Sequence, residues 1–262
     1  MIVFDGRLHD GDTVALAATD RGLTLADGLF ETMLAVDGRV FRRSAHLDRM
    51  TAGADALAIG IERARLEADL DLLLAALPAG EAVVRVTLTR GPGTRGLKRP
   101  AQTRPTVMVT AAAWSPDVVM RPVRLVTSAI RRNETAPSAR WKTLAYVDAV
   151  AALAEAEAKG GDDALLLNGR GDVACTTMAN VFALDGDVLI TPQPDDGILA
   201  GTMRALVLEM ARGLGLRTEE MSLSPAEFAA AEALFVTNSV RLVAPVIGLD
   251  RRRYDVGHPM VA

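Results

Sequence analysis

The chain has 262 residues, enough for one large or two small domains, and 50% hydrophobic with 24% charged residues is the composition of a folded globular protein. The net charge of −4 gives no indication of a nucleic-acid partner, and the single cysteine, Cys175, excludes a disulfide framework and a cysteine-based zinc site. No apolar run reaches the ~18 residues that span a bilayer, and residues 1–5 lack the features of a signal peptide. The sequence therefore predicts a cytoplasmic protein without a membrane partner.

The first half of the chain mixes short strands with two helices. Asp-Gly pairs between apolar runs indicate hairpins, and apolar residues at three- and four-residue spacing indicate helices. The predicted strands cover 1–4, 7–9, 31–36, 39–41, 82–89 and 105–110, and the predicted helices cover 45–59 and 62–77. Residues 111–116 are a candidate linker.

The second half repeats this mixture without a regular strand–helix–strand period. The predicted strands cover 121–129, 163–167, 180–184, 188–190, 233–236 and 242–247, and the predicted helices cover 144–158 and 202–214. Interspersed strands and helices without that period indicate an α+β fold.

Lysine is rare in this chain, with three lysines among 29 basic residues. Arginine keeps its proton near neutral pH, whereas a lysine amine can lose it and act as a nucleophile. Lys98 lies in a glycine-rich loop and Lys159 ends a predicted helix, but Lys142 has apolar or aromatic neighbours on both sides. Lys142 is therefore the candidate reactive amine; the alternative is a surface lysine at a helix start.

Residues 91–96 match the G-x-G-x-x-G pattern of dinucleotide-binding sites, which requires a helix to begin at the third glycine. Pro100 disfavours a helix there, so a long hairpin loop is the better interpretation. Its arginines, Arg90 and Arg95, could bind carboxylates, or they could belong to a solvated basic loop. The histidines, His9, His46 and His258, form no recognisable catalytic or metal-binding pattern, and no metal is predicted.

Several segments in order resemble the fold-type IV pyridoxal-phosphate enzymes, the class IV aminotransferase family. That family includes aminodeoxychorismate lyases and D-amino-acid and branched-chain aminotransferases. The matching segments are 20–32, 45–50, 90–96, 142–146, 163–167, 171–182, 197–204 and 237–239. The resemblance covers nearly the whole chain. It implies a small N-terminal α+β domain over 1–113, a larger strand-rich C-terminal domain over 114–262 that carries the reactive lysine, and a homodimer.

The resemblance also implies pyridoxal 5'-phosphate as cofactor and assigns roles to individual residues. Lys142 takes the place of the lysine that forms the Schiff base and transfers the proton. Candidate contacts to the cofactor phosphate are Arg49, Thr202, Met203, Asn238 and Ser239. Candidate substrate-binding residues are Thr32, Arg90 and Arg95.

Cys175 departs from the family pattern. In the family, a glutamate five residues before the asparagine that matches Asn180 pairs with the pyridine nitrogen of the cofactor. A thiol with an ordinary pKa is mostly neutral at pH 7 and holds a proton on that nitrogen less well. Either the enzyme is weakened or specialised, or another group replaces the carboxylate.

Two reactions fit this pattern of residues. The loop over 90–96 and the Gly-Thr-Met-Arg segment at 201–204 resemble those of the lyases that make 4-aminobenzoate and pyruvate for folate synthesis. An aminotransferase acting on D-amino acids, branched-chain acids or amines is the alternative. A homologue that binds the cofactor but has lost catalysis is a third possibility, which the retained Lys142 argues against.

Overall fold

The computed structural model describes residues 1–255, so His258 lies outside the described chain. The described chain forms two compact units. The first is Met1–Ser115 together with Trp141–Ala145, and the second is Pro116–Arg140 together with the described residues from Tyr146 onward. The expected boundary after residue 113 lies close to the division at Ser115. Lys142, expected in the second domain, is grouped with the first unit because its segment pairs with a strand there.

An antiparallel six-stranded sheet, ordered β2-β1-β6-β5-β3-β4, forms the first unit. The strands are β1 (Ile2–Phe4), β2 (Arg7–His9), β3 (Gly28–Val36), β4 (Arg39–Val40), β5 (Glu81–Thr89) and β6 (Thr106–Ala113). The helices are α1 (Arg21–Leu25), α2 (Arg43–Ala56) and α3 (Arg63–Ala76). Residues 111–113, expected in a linker, continue β6 because they pair with 82–84 of β5.

Helices α2 and α3 cover one face of this sheet. Side chains alternate between the faces of a strand, and on β3 the side chains of Leu29 and Met33 point into the core. They pack there with Leu47 and Met50 of α2 and with four leucines of α3, which are Leu66, Leu70, Leu73 and Leu74. The alternate residues of β3, Phe30 and Thr32 among them, therefore lie on the opposite face of the sheet.

A curled sheet, ordered β12-β11-β10-β13-β14-β7-β8-β9 with β15 beside β14, forms the second unit. Its strands are β7 (Val123–Arg132), β8 (Asp163–Asn168), β9 (Val173–Thr176), β10 (Asn180–Asp185), β11 (Val188–Thr191), β12 (Arg217–Glu220), β13 (Ala233–Asn238), β14 (Leu242–Leu249) and β15 (Arg252–Arg253). The helices are α4 (Pro137–Arg140), α5 (Val147–Ala158), α6 (Thr202–Gly213) and α7 (Pro225–Ala230).

Small and aromatic side chains let α5 and α6 approach this sheet. Ala152 and Ala156 of α5 are buried in one apolar cluster of the sheet. Leu208 of α6 is buried in another, where the rings of Phe182 and Phe235 stack with centroids 4.8 Å apart. The α+β prediction is confirmed. No helix within residues 1–255 is long and apolar enough to cross a membrane.

Candidate active site

Lys142 is held in the first unit by backbone pairing with β3. The amide of Phe30 donates to the carbonyl of Lys142 at 2.9 Å, and the amide of Leu144 donates to the carbonyl of Gly28 at 3.0 Å. Strand β4 pairs only with Ala35 and Val36, so this part of the β3 edge is open to the lysine segment. Because residues 142–144 are extended along β3, helix α5 begins at Val147 rather than at the expected residue 144.

Glycine at position 28 makes this pairing possible. A Cβ atom there would lie 2.4 Å from the carbonyl oxygen of Leu88 on β5 and 2.8 Å from Cδ1 of Leu144. Both contacts are closer than van der Waals radii permit. The Leu88 contact is with backbone, so any other residue would push β3 away from β5 and also press on the Leu144 side chain beside the lysine.

The Lys142 amine lies over an aromatic ring on the face of the sheet away from α2 and α3. Its Nζ is 4.4 Å from the centroid of the Phe30 ring. The guanidinium carbon of Arg85 is 3.7 Å from the same centroid, and Arg85 Nε donates to Thr87 Oγ1 at 3.2 Å. Thr32 pairs directly with Arg85 across β3 and β5, so both side chains are on this face. The structure thus brings an amine, a guanidinium and a hydroxyl to one face of the first unit.

Arg49, on helix α2, is fixed by a buried carboxylate. Its Nε and one terminal nitrogen donate to the two oxygens of Glu31 at 2.7 and 2.6 Å, and His46 Nδ1 lies 2.7 Å from Glu31 Oε2. Burial opposes ionisation of Glu31, but the charge of Arg49 and the hydrogen bonds from His46 and Arg49 outweigh it and hold the pKa of Glu31 below its usual value. Arg49 is therefore paired with a carboxylate that is ionised at neutral pH, which sets the direction of its guanidinium.

Arg90, expected to bind substrate, is instead engaged inside the protein. It is 2% exposed. Its guanidinium donates to both carboxylate oxygens of Asp27 at 2.7 and 3.0 Å and to the carbonyls of Leu57 and Ala58 at 2.8 and 2.7 Å. These bonds make Arg90 a structural residue that joins β5 to the end of α2. Arg95, by contrast, is exposed on the loop between β5 and β6.

In the second unit, two hydroxyls meet at the start of a helix. Thr202 is the first residue of α6, and its Oγ1 lies 3.1 Å from Oγ of Ser239, which follows β13. Gly201 precedes the helix and has no side chain to cap it. The first amide groups of a helix have no acceptor within the helix and favour an anion. The hydroxyls and the helix start together suit a phosphate group.

Neighbouring residues shape both turns. Asn238 Oδ1 accepts hydrogen bonds from the amides of Val240 and Arg241 at 3.0 and 2.8 Å, so it stabilises the turn that contains Ser239. Met203, the second residue of α6, is buried. Its side chain is part of the packing, and only its backbone amide is suited to bind an anion.

Cys175 lies on β9 in an apolar environment. It is 6% exposed and packs in one cluster with Leu166, Ile198 and Ala152. Burial raises the pKa of the thiol, the charge of Arg132 lowers it less, and that of Asp163 raises it further. The thiol is therefore neutral at pH 7, and it offers a poor partner for a cation at the position where the family resemblance expects a carboxylate.

Three functional candidates were missed in the sequence. Arg85 interrupts an apolar strand at a position opposite to the core-facing valines, and that alternation is a signal that sequence analysis can detect. Glu31 and His46 lie within the matching segments 20–32 and 45–50, but only the fold brings their side chains together.

A family model described as amino-transferase class IV matches residues 28–249 of this chain. The crystal structure of 4-amino-4-deoxychorismate lyase from Pseudomonas aeruginosa is 32% identical and superposes with a TM-score of 0.89, covering 99% of this chain and 95% of that one. The branched-chain aminotransferase of Thermoproteus uzoniensis is 25% identical with a TM-score of 0.89, covering 97% and 88%. A bifunctional aminodeoxychorismate lyase and D-amino acid transaminase of Mycobacterium tuberculosis is 28% identical, covering 97% and 92%. These similar proteins divide between two reactions.

Proposed function

The chain belongs to the class IV aminotransferase family, and on that premise we propose that it is a lyase that converts 4-amino-4-deoxychorismate to 4-aminobenzoate and pyruvate. Enzymes of the family depend on pyridoxal 5'-phosphate. When bound, this cofactor supplies an electron sink for the bond that breaks at the substrate.

We propose a role for each candidate residue when the cofactor is bound. In the second unit, the hydroxyls of Thr202 and Ser239 would bind the phosphate, together with the amide of Met203 and the turn stabilised by Asn238. Arg49, held by Glu31, is a further candidate contact to the phosphate. Lys142 would bind the aldehyde carbon of the cofactor and carry a proton at Nζ, in the surroundings of the Phe30 ring.

The buried neutral thiol of Cys175 is the observation that favours the lyase. A neutral thiol does not hold a proton on the pyridine nitrogen, so the electron sink is weaker than with a carboxylate. Elimination from 4-amino-4-deoxychorismate creates an aromatic ring, and this gain in stability lowers the demand on the sink. Transamination has no such driving force and depends more on the missing carboxylate.

Arg85 and Thr32 support a carboxylate-bearing substrate. The Arg85 guanidinium lies beside the ring that the Lys142 amine also contacts, and Thr32 is its cross-strand partner. 4-Amino-4-deoxychorismate has two carboxylates. We propose that Arg85 binds one of them and that Arg95, on the exposed loop, binds the other.

The second candidate is a fold-type IV aminotransferase with a D-amino acid, branched-chain or amine donor. The similarity to the Thermoproteus aminotransferase favours it, and so does the double activity in the name of the Mycobacterium relative. A basic group beside the amine would bind an amino-acid carboxylate as well as that of the lyase substrate.

We further propose a homodimer that acts in folate biosynthesis in the cytoplasm. Val147 and Val150 of α5 are 77% and 66% exposed. A second subunit that covered this face would remove both side chains from water.

The reaction is tested by supplying the holoenzyme with 4-amino-4-deoxychorismate and measuring 4-aminobenzoate by fluorescence and pyruvate by a coupled dehydrogenase. The lyase gives both products in equal amounts, and its visible absorption band stays unchanged with a panel of D- and L-amino acids. If no 4-aminobenzoate forms and one of the amino acids bleaches the absorption band, the protein is the aminotransferase instead.

A further inference from the structure

One buried guanidinium binds three consecutive backbone carbonyls of the loop between β5 and β6. Arg21, at the start of α1, is 4% exposed. Its terminal nitrogens donate to the carbonyls of Gly96 at 3.0 Å, Leu97 at 3.3 Å and Lys98 at 3.4 Å. These carbonyls directly follow Arg95, so the contacts hold the backbone next to that side chain.

Arg21 is itself fixed from the other side. Its Nε donates to Asp27 Oδ2 at 2.9 Å, and the same oxygen accepts from Nε of Arg90 at 2.7 Å. Burial raises the pKa of Asp27, but the hydrogen bonds and charges of Arg90 and Arg21 outweigh it and hold that pKa below its usual value. One ionised carboxylate thus joins the base of the loop, through Arg90, to its far part, through Arg21.

Backbone contacts extend the same attachment. The Arg21 amide donates to the carbonyl of Gly91 at 2.9 Å, and the Gly93 amide donates to the carbonyl of Thr19 at 3.0 Å. Gly93 also packs against the arginine: a Cβ atom there would lie 2.8 Å from Arg21 Cδ. The segment before α1 and the loop are therefore joined along several residues.

The loop that is held in this way is rich in positive charge. Its exposed cationic side chains are those of Arg95, Lys98, Arg99 and Arg104, and residues 82–116 contain no acidic residue. A loop without regular structure samples many conformations, and ordering it before the ligand arrives removes that entropy cost from binding.

We propose that Arg21 is a positioning residue that holds the cationic loop in the conformation in which Arg95 binds a substrate carboxylate. This inference rests on the proposed function, since it assigns Arg95 to the substrate. Arg21 does not touch the substrate and acts through the backbone of residues 96–98.

Limited digestion of the holoenzyme with trypsin tests the attachment without any substrate. Trypsin can cut at Arg95–Gly96 and Lys98–Arg99, whereas Pro100 and Pro105 protect the bonds after Arg99 and Arg104. Arg21→Met should raise the cleavage rate at these two sites about 10-fold, because the loop opens more often. Gly93→Ala keeps the guanidinium but displaces it, and should act in the same direction. Arg39→Met, which removes an exposed arginine of the same unit, is the control.

Steady-state kinetics of the same variants test the positioning role. Arg21→Met and Gly93→Ala should raise KM for the carboxylate substrate about 10-fold and change kcat less than about threefold. Unchanged cleavage in both variants, or faster cleavage with unchanged KM, would overturn the proposal. The kinetics use whichever substrate the wild-type enzyme turns over. If the wild type does not turn over 4-amino-4-deoxychorismate, the lyase assignment is contradicted. The role of Arg21 is then tested with the amino donor that the enzyme does accept.

Discussion

Glu31 and Arg49 form a bidentate ion pair in which the carboxylate is completely buried and the guanidinium is 12% exposed. His46 contacts one of the carboxylate oxygens, so Glu31 has partners on two sides. Such a pair fixes the plane of the guanidinium, because both of its bonds must be satisfied together. Glu31 therefore determines the orientation of the Arg49 guanidinium, which we propose binds the cofactor phosphate.

We expect Glu31→Gln to lower the free energy of unfolding by about 2 kcal/mol, because the partly buried Arg49 loses its charged partner. Chemical denaturation of the cofactor-free protein measures this change. Asp71→Asn is the matched control: it breaks the ion pair of Asp71 with Arg43, in which the side chains are 58% and 33% exposed, and should cost less than about 1 kcal/mol. Equal losses in the two variants would contradict the special role of the buried pair.

The Glu31 pair also makes stability depend on pH. Since its pKa is lower in the folded protein than the ordinary 4.5, the folded state binds the proton less well than the unfolded state. The stabilisation is therefore complete above the ordinary pKa and is lost as the pH falls through the lowered value. Denaturation at a series of acidic pH values should show a smaller loss in Glu31→Gln than in the wild type.

Replacing Lys142 by alanine should abolish the visible absorption band that the protein forms with pyridoxal phosphate. Of the other two lysines, Lys98 lies on the exposed loop between β5 and β6, and Lys159 lies at the end of α5. Lys159→Ala is the control, since Lys159 is bonded to Glu155 on the surface of α5. Its absorption band should equal that of the wild type. A band that persists in Lys142→Ala would show that another amine binds the cofactor.

Cys175→Glu should increase aminotransferase activity if the missing carboxylate limits that reaction. Cys175→Ser, which supplies a neutral group of similar size, should not. Turnover with the panel of amino donors compares the variants, and circular dichroism verifies that each is folded, since a glutamate among apolar side chains is costly. Unchanged or lower activity in Cys175→Glu would indicate that a different group of this chain serves the pyridine nitrogen.

Two glycines of the α6 region should respond in opposite directions to alanine. At Gly201, a Cβ atom would lie 2.0 Å from Oδ1 of Asn180, whose amide nitrogen donates to the carbonyl of Leu199 at 2.9 Å. Gly201→Ala should therefore lower the free energy of unfolding by about 2 kcal/mol and weaken binding of the cofactor. Gly213, at the other end of the helix, has nothing within 4 Å of the corresponding position.

Gly213→Ala should stabilise the protein by about 0.5 kcal/mol, because alanine loses less backbone entropy in a helix. Chemical denaturation of both variants measures the difference. A loss of stability at position 213, or none at position 201, would contradict this description of the helix start.

Periodicity in the sequence predicted the elements that carry most of the core. The helices α2 and α3 and the strands β5, β10 and β14 lie within a few residues of their expected bounds, because their apolar residues repeat at helical or strand spacing over a long stretch. Strand β9, helix α7 and strand β12 were not predicted. The two strands are short and are stabilised by neighbouring strands rather than by their own pattern. Helix α7 is also short, but its capping box of Ser224 and Glu227, with Pro225 at the first helical position, is a local signal that sequence analysis can detect.

The candidate site was predictable to the extent that its residues lie in recognisable segments. Thr202 and Ser239, far apart in sequence, were both expected at the phosphate, and their hydroxyls are 3.1 Å apart. Arg90 was expected at the substrate because sequence alone does not reveal that Asp27 and two carbonyls engage its guanidinium. Side-chain partners are decided by tertiary contacts, which a local pattern does not contain.

The pairing of residues 142–144 with β3 also has a consequence for the order in which the protein is made. Gly28 and Phe30 are synthesised long before Leu144 and Lys142. This part of the β3 edge therefore cannot pair with the lysine segment until residues after β7 have been made. Contacts between residues so distant in sequence form slowly. The amine can therefore reach its place beside Phe30 only after residues 116–142 have been made, and a nascent chain that ends at Ser115 has an incomplete sheet edge.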